Sequence, residues 1–197
     1  MRAKVIYESM FGNTRDVAYA IGEGLSAYGE VDVVEVGTAD RDIGPSVHLL
    51  VIGGPTHAFG LSRTKTREDA ERQLGSTPVS AAIGIREWLD HARRAFPGTS
   101  AAAFDTKIDK PVPGSAGRGA EKRLRKLGFH IAADAQHFHV SDVSGPLVEG
   151  ELARARAWGA KLGAQIAPRW VDTAHETEAH PQQRTVAAPS AQTAPSK

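Results

Sequence analysis

Short apolar runs alternate with longer amphipathic ones from the first residues of the chain. Runs at 4–7, 31–36, 47–52 and 99–104, and a divided one at 131–140, have the length of strands. Several lack polar alternation, the pattern of strands covered on both faces. Between them, 14–28, 83–96, 119–127 and 147–166 read as helices. In the last, Leu147, Val148, Leu152, Ala155, Trp158, Ala160, Leu162 and Ile166 broadly follow the 3.6-residue period. Pro146 is expected in its first turn, where a missing N–H costs nothing, and Glu149 and Glu151 complement the dipole. Strand–helix alternation five times over predicts an α/β fold with a mostly parallel sheet and helices on both faces.

Two segments break the alternation. Residues 53–98 are long for a connection and include SRTKTREDAERQ, with four basic and three acidic residues. That run reads either as a short solvated helix or as a rim that selects a partner or an anionic substrate. Ser62 lies in this insertion and has no assigned ligand contact. From Pro168 onward, prolines and small polar residues replace large apolar ones. Such a stretch buries too little surface to offset ordering entropy. The expected division is a domain over 1–167 and a disordered tail over 168–197.

Composition narrows the function classes. Of 197 residues, 41% are hydrophobic, enough for a full core, and the net charge is +1. That balance argues against a nucleic-acid binder driven by bulk charge. No cysteine is present, which excludes thiolate catalysis and Cys-bound metals. No run approaches 18 apolar residues, so no membrane span is expected. The N-terminus enters a strand pattern with no apolar signal region, which makes the cytoplasm the expected location.

The candidate chemistry lies in three loops. SMFGNT, residues 9–14, joins the first strand to the first helix. It offers hydroxyls from Ser9 and Thr14, the Asn13 amide, and Gly12, which permits a tight turn beside N–H groups at a helix start. These are the parts of a phosphate cradle without lysine. The same residues also suit a plain helix cap made by Asn13 or Thr14. GGPTHAFG follows the third strand. With strand order 2-1-3-4-5, it faces SMFGNT across the switch point where α/β sheets bind ligands. Gly53-Gly54-Pro55 reads as a sharp turn, with Thr56 and His57 as polar contacts and Phe59 as a flat apolar face. Phe104-Asp105-Thr106-Lys107 is expected to begin a third loop over the same ligand. Neither the G-x-x-x-x-G-K-[ST] phosphate loop nor a complete G-x-G-x-x-G fingerprint is present.

SMFGNT and GGPTHAFG resemble the first two flavin loops of the flavodoxin family. AFDTK through GSAGRGAEKRLRKLGF is similar to its third-loop region. VSGPLVEGELARARAWGAKL resembles the terminal helix of bacterial flavodoxin-domain proteins. The resemblance covers about residues 1–166 and implies a flavodoxin-like, doubly wound five-stranded parallel sheet of order 2-1-3-4-5. It also implies FMN as cofactor. Ser9, Gly12, Asn13 and Thr14 would hold the phosphate, and Pro55, Thr56, His57 and Phe59 would line one side of the ring, with Met10, Phe11 and Gly60 of the same two loops also at the cofactor. Asp105, Thr106 and Lys107 would line the other side. Phe11 replaces the family's central Thr, as in relatives of the protoporphyrinogen-oxidase and quinone-reductase type, and the Tyr that often stacks on the ring is missing.

The resemblance implies electron transfer through bound flavin to a redox partner protein or a small quinone-like acceptor. Carrier flavodoxins are typically acidic, whereas this chain is near neutral. An FMN-dependent NAD(P)H:quinone-type or protoporphyrinogen-oxidase-like reductase therefore stays open, as does a non-flavin interaction module with a degenerate pocket. A receiver domain shares the sheet order but needs an acidic pair after the first strand, where Glu8 stands alone. His137 and His139, two apart on a strand, share a face. No third ligand accompanies them, and solvated or hydrogen-bonded histidines is the reading.

Overall fold

A computed structural model describes residues 1–111 and 113–178. In chain order the elements are β1 (Arg2–Tyr7), α1 (Asn13–Ser26), β2 (Glu30–Glu35), β3 (Leu49–Pro55), α2 (Thr64–Leu74), α3 (Ile85–His91), β4 (Ser100–Ile108), α4 (Ala116–Lys126), β5 (His130–Ile131), β6 (Gln136–Val140) and α5 (Glu151–Glu178). The sheet runs β2-β1-β3-β4-β5, and β6 also pairs with β4. Its named strand pairs are all parallel. The expected order is present, with the divided last strand resolved into two short pieces.

Strand parity sorts the core into two layers. Ala3, Val5, Leu49, Val51, Ala102 and Phe104 face α1 and α5, where they meet Val17, Ile21, Trp158 and Leu162. Ile6, Leu50, Ile52, Ala101 and Ala103 face the other way, against Ile85, Trp88, Ala120 and Leu124 of α3 and α4. Burial on both faces explains why these strands read as continuous apolar runs. On the first side α1 and α5 lie backbone to backbone. A Cβ at Gly24 would overlap the Arg156 carbonyl, and one at Gly159 the Ile21 carbonyl.

The structure corrects several expected boundaries. Gly53-Gly54-Pro55 is not a turn but the end of β3, in register with Phe104, Asp105 and Thr106. Phe104–Lys107 is likewise strand, held because β6 pairs with it from Phe104 to Ile108. The helix expected over 83–96 ends at His91, where Ala92 turns extended. The helix expected from Leu147 begins at Glu151. Val148 N–H instead bonds the His139 carbonyl, and Gly150, at φ 85°, cannot be part of a right-handed helix. Pro146 therefore lies before α5 rather than in its first turn. SRTKTREDAERQ does form a helix, α2. The expected domain boundary after residue 167 falls within α5, which continues through Pro168 to Glu178. The rest of the expected tail, 179–197, lies outside the described residues.

Candidate functional site

The carboxyl ends of β1, β3 and β4 open onto a cavity at the switch point. Ser9, Met10, Phe11, Asn13 and Thr14 form one wall, Pro55, Thr56 and His57 a second, and Thr106 and Lys107 the floor. Sequence reasoning missed three apolar neighbours, Ile108, Val140 and Val143. The first two are revealed by the extension of β4 alongside β6; Val143 belongs to a polar loop with no signal of its own.

SMFGNT is shaped by Gly12, whose φ of 95° a side chain rarely adopts. Its N–H donates to Ser9 Oγ at 3.1 Å, closing the loop on itself. Ser80 clamps the loop from outside: Ser9 N–H donates to its Oγ (3.0 Å), and Ser80 N–H donates to the Ser9 carbonyl (2.8 Å). The cap reading fails here. Gly12 is the N-cap and no side chain caps the helix. Asn13 Nδ2 instead donates to the Ser144 carbonyl (3.0 Å), and Thr14 Oγ1 lies 2.7 Å from Thr106 Oγ1. The N–H groups of Asn13, Thr14 and Arg15 meet no protein acceptor among the described residues. Asp16, the acid of this first turn, pairs with Arg15 outside the cavity.

Two carboxylates lie beneath the cavity on the α3/α4 side, separated by Gly54. Asp105 is fully buried and does not line the cavity, contrary to expectation, because its strand position turns it toward α4. Its Oδ2 accepts from Thr56 Oγ1 (3.0 Å), Ser115 Oγ (2.6 Å) and Gly117 N–H (2.9 Å), and its Oδ1 lies 2.7 Å from His137 Nδ1. Burial alone would raise this carboxyl's pKa. The bonds from His137, Ser115 and Gly117 outweigh it and hold the group below the ordinary range. His137 is thus an Asp105 partner rather than half of a metal pair.

Glu8 is also fully buried. Its Oε2 accepts the Ile85 N–H at the start of α3 (2.8 Å), and its Oε1 has no partner among the described residues. Burial pushes its carboxyl up; Ser62, the Ile85 N–H and Arg67 only partly oppose this. Beside it Arg67, 6% exposed, donates to Ser62 Oγ (2.9 Å) and pairs with Glu87 (3.2 Å). Ser62 is therefore not an idle surface residue of the insertion. Burial, then Arg67, lowers the His57 pKa, which keeps this cavity-lining ring neutral at pH 7. Phe59 and Gly60 miss the cavity. The His57–Gly60 turn carries them outward, to a neighbouring hollow.

The family model of flavodoxin matches residues 5–157. The chain belongs to the flavodoxin family. Among solved structures, flavodoxin 2 from Bacillus cereus is 19% identical, covers 86% of this chain and 99% of its own, and superposes with a TM-score of 0.59. A flavodoxin from the domain Archaea is 16% identical over 84% of this chain and 99% of its own, TM-score 0.57. The rubredoxin oxygen:oxidoreductase of Desulfovibrio gigas is 12% identical over 88% of this chain but only 37% of its own, TM-score 0.53. This flavodoxin fold thus matches whole small flavodoxins and about a third of a larger oxidoreductase. No curated protein sequence matches the chain. Among the described residues, no helix of this flavodoxin-family chain is long and apolar enough to cross a membrane.

Proposed function

We propose that the switch-point cavity binds FMN and that the chain transfers electrons through it. The observation that carries this reading is the set of three unpartnered N–H groups at the start of α1. Two of these N–H groups belong to Asn13 and Thr14, which line the cavity beside the Ser9 and Thr14 hydroxyls, and among the described residues no carboxylate lines it. Such an array suits a phosphate dianion, and the neighbouring wall of Pro55, Thr56 and His57 suits a planar ring. The chain's own part is to grip, orient and shield. Gly12 lets the loop approach the phosphate. Thr14, braced by Thr106, offers a fixed hydroxyl, and neutral His57 adds a hydrogen-bonding group without charge. Bound FMN supplies the one- and two-electron chemistry at its ring.

Calorimetric titration tests the phosphate assignment: FMN binds tightly, riboflavin weakly, and equal affinity would refute the cradle. Thr14→Ala raises the FMN Kd by about 10- to 150-fold, the equivalent of one hydrogen bond of roughly 1.5–3 kcal/mol to a charged group. Unchanged affinity in a destabilised Thr14→Ala protein would reduce Thr14 to a brace for Thr106. Purification with added FMN, followed by dithionite and NAD(P)H titration, separates carrier from reductase, since only the reductase is reduced directly by NAD(P)H.

A further inference from the structure

Beyond the His57–Gly60 turn lies a second hollow, of about 350 Å³, which shares only His57 with the FMN cavity. Phe59, Leu61, Arg63, Thr66 and Arg86 form most of its lining. The turn is closed by reciprocal bonds between His57 and Gly60, 2.8 and 2.9 Å. Its two central residues, Ala58 and Phe59, have φ of 38° and 75°. Non-glycine residues held in that region cost energy and are kept where the surroundings enforce them. Here the effect is to leave the Phe59 ring 62% exposed at the mouth of the hollow.

The two arginines differ in how they are held. Arg86 is anchored: its Nε donates to the Ser62 carbonyl (2.9 Å) and its second nitrogen to the Leu61 carbonyl (2.6 Å). Arg63, at the entry to α2, makes no ion pair among the described residues. The nearby acids are engaged elsewhere, Glu87 by Arg67 and Asp90 by Arg123. Burial first, then repulsion from Arg123 and Arg63, lowers the Arg86 pKa, while Asp90 and Glu87 oppose. Among the described residues, no acidic side chain lines the hollow. Two guanidinium groups and an adjacent exposed aromatic face thus surround a concave space of small-molecule size, while the Thr66 hydroxyl is tied to the Arg63 backbone, accepting its N–H and donating to its carbonyl.

We propose that this hollow is a second binding site, for a small planar aromatic anion whose carboxylate meets Arg63 and Arg86 and whose ring rests on Phe59. Guanidinium groups recognise carboxylates through paired, charge-assisted bonds, and an aromatic ring supplies the apolar half of the contact. A concave space of this size favours a free small molecule over an acidic side chain on a flat protein face. The site stands apart from the FMN assignment, because its donors belong to the insertion and to α3 rather than to SMFGNT.

The test uses 2-naphthoate and its neutral isostere 2-naphthamide, titrated into the full chain with and without FMN, by calorimetry and amide NMR. Naphthoate is expected to bind at least about tenfold more tightly than the amide, the scale of one charge-assisted hydrogen bond. Shifts should centre on Phe59, Arg63 and Thr66. Arg63→Gln should bring naphthoate down to the affinity of the amide, while Phe59→Ala should weaken both. Melting temperatures confirm that each exposed-site variant is folded. The proposal is overturned by absent naphthoate binding, by equal affinity for the two probes, by an indifferent Arg63→Gln variant, or by competition between naphthoate and FMN. Failure of FMN to bind would instead remove the cofactor reading and leave the naphthoate result to decide this site on its own.

Discussion

Asp105 and Glu8 occupy matching positions and have opposite characters. Both stand at the carboxyl end of the sheet, both are fully buried, and both accept an N–H from the start of a helix on the same face. Asp105 has four donors and serves as a saturated strut joining β4, β6, the second loop and α4. Glu8 has one oxygen engaged and one orphaned, and it joins β1 to the start of α3, beside Arg67 and Ser62. Burial raises both carboxyls; the bonds to Asp105 outweigh it, whereas those to Glu8 do not, and Glu87 adds repulsion there. A buried acid is therefore not one kind of object. Its neighbours make it either a charged keystone or a group that resists ionising.

The strongest way to break the contrast is Asp105→Ala. It leaves four donors without their common acceptor and should lower stability by about 3 kcal/mol. Urea unfolding would read this as a lower midpoint at constant slope. The depressed native pKa gives the deficit a sign with pH. The stability Asp105 supplies is present above the ordinary aspartate value of 3.8 and is lost as pH falls through its lower native value. Wild type and variant should therefore converge in acid; a gap that stays constant down to pH 2 would mean that Asp105 acts by shape alone.

On the other side, Ser62→Ala removes the hydroxyl shared by Arg67 and Glu8 and should cost about 1–2 kcal/mol. A change below the error of thermal melts would show that Arg67 is held by Glu87 alone. Glu8→Gln keeps the shape of the group, and its signature is a slope with pH. Between the ordinary value of 4.5 and its raised native value, Glu8 keeps a proton that the unfolded chain has lost. Wild-type stability thus falls across that window as pH rises. The glutamine variant lacks this loss, so the stability difference should move in its favour from pH 4.5 upward and then level off. A flat difference would place Glu8 in ordinary carboxylate behaviour.

Much of this frame was legible in the sequence, because parallel strands buried on both faces leave apolar runs and SMFGNT sits where one such run meets a helix. Strand ends were not legible. Gly53–Pro55 and Phe104–Lys107 carry turn-forming or polar residues, yet pairing with β4 and β6 extends both strands. That extension sets the parity which sends Thr106 to Thr14 and Asp105 to α4. No local pattern encodes partners that lie 51 residues away, as Phe104 does from Gly53, or 32, as Gln136 does from Phe104. Glu8 left a usable trace, a charged residue two places after Ile6 and so on the same buried face. Phe59 reads as a flat apolar face in the second loop, and only the left-handed turn at Ala58 and Phe59 shows that it faces elsewhere.

The close seam between α1 and α5 has a consequence for how the chain is made. About 125 residues separate the end of α1 from the start of α5. At roughly 5–20 residues per second, α1 leaves the ribosome on the order of 6–25 s before the helix that covers it. Through that interval Val17, Ile21 and Leu25 present an uncovered stripe beside an unfinished sheet. At its tightest points the seam that finally covers them admits only glycine. Translation therefore sets a waiting period in which this stripe of α1 stays open, and the making of α5 is what ends it.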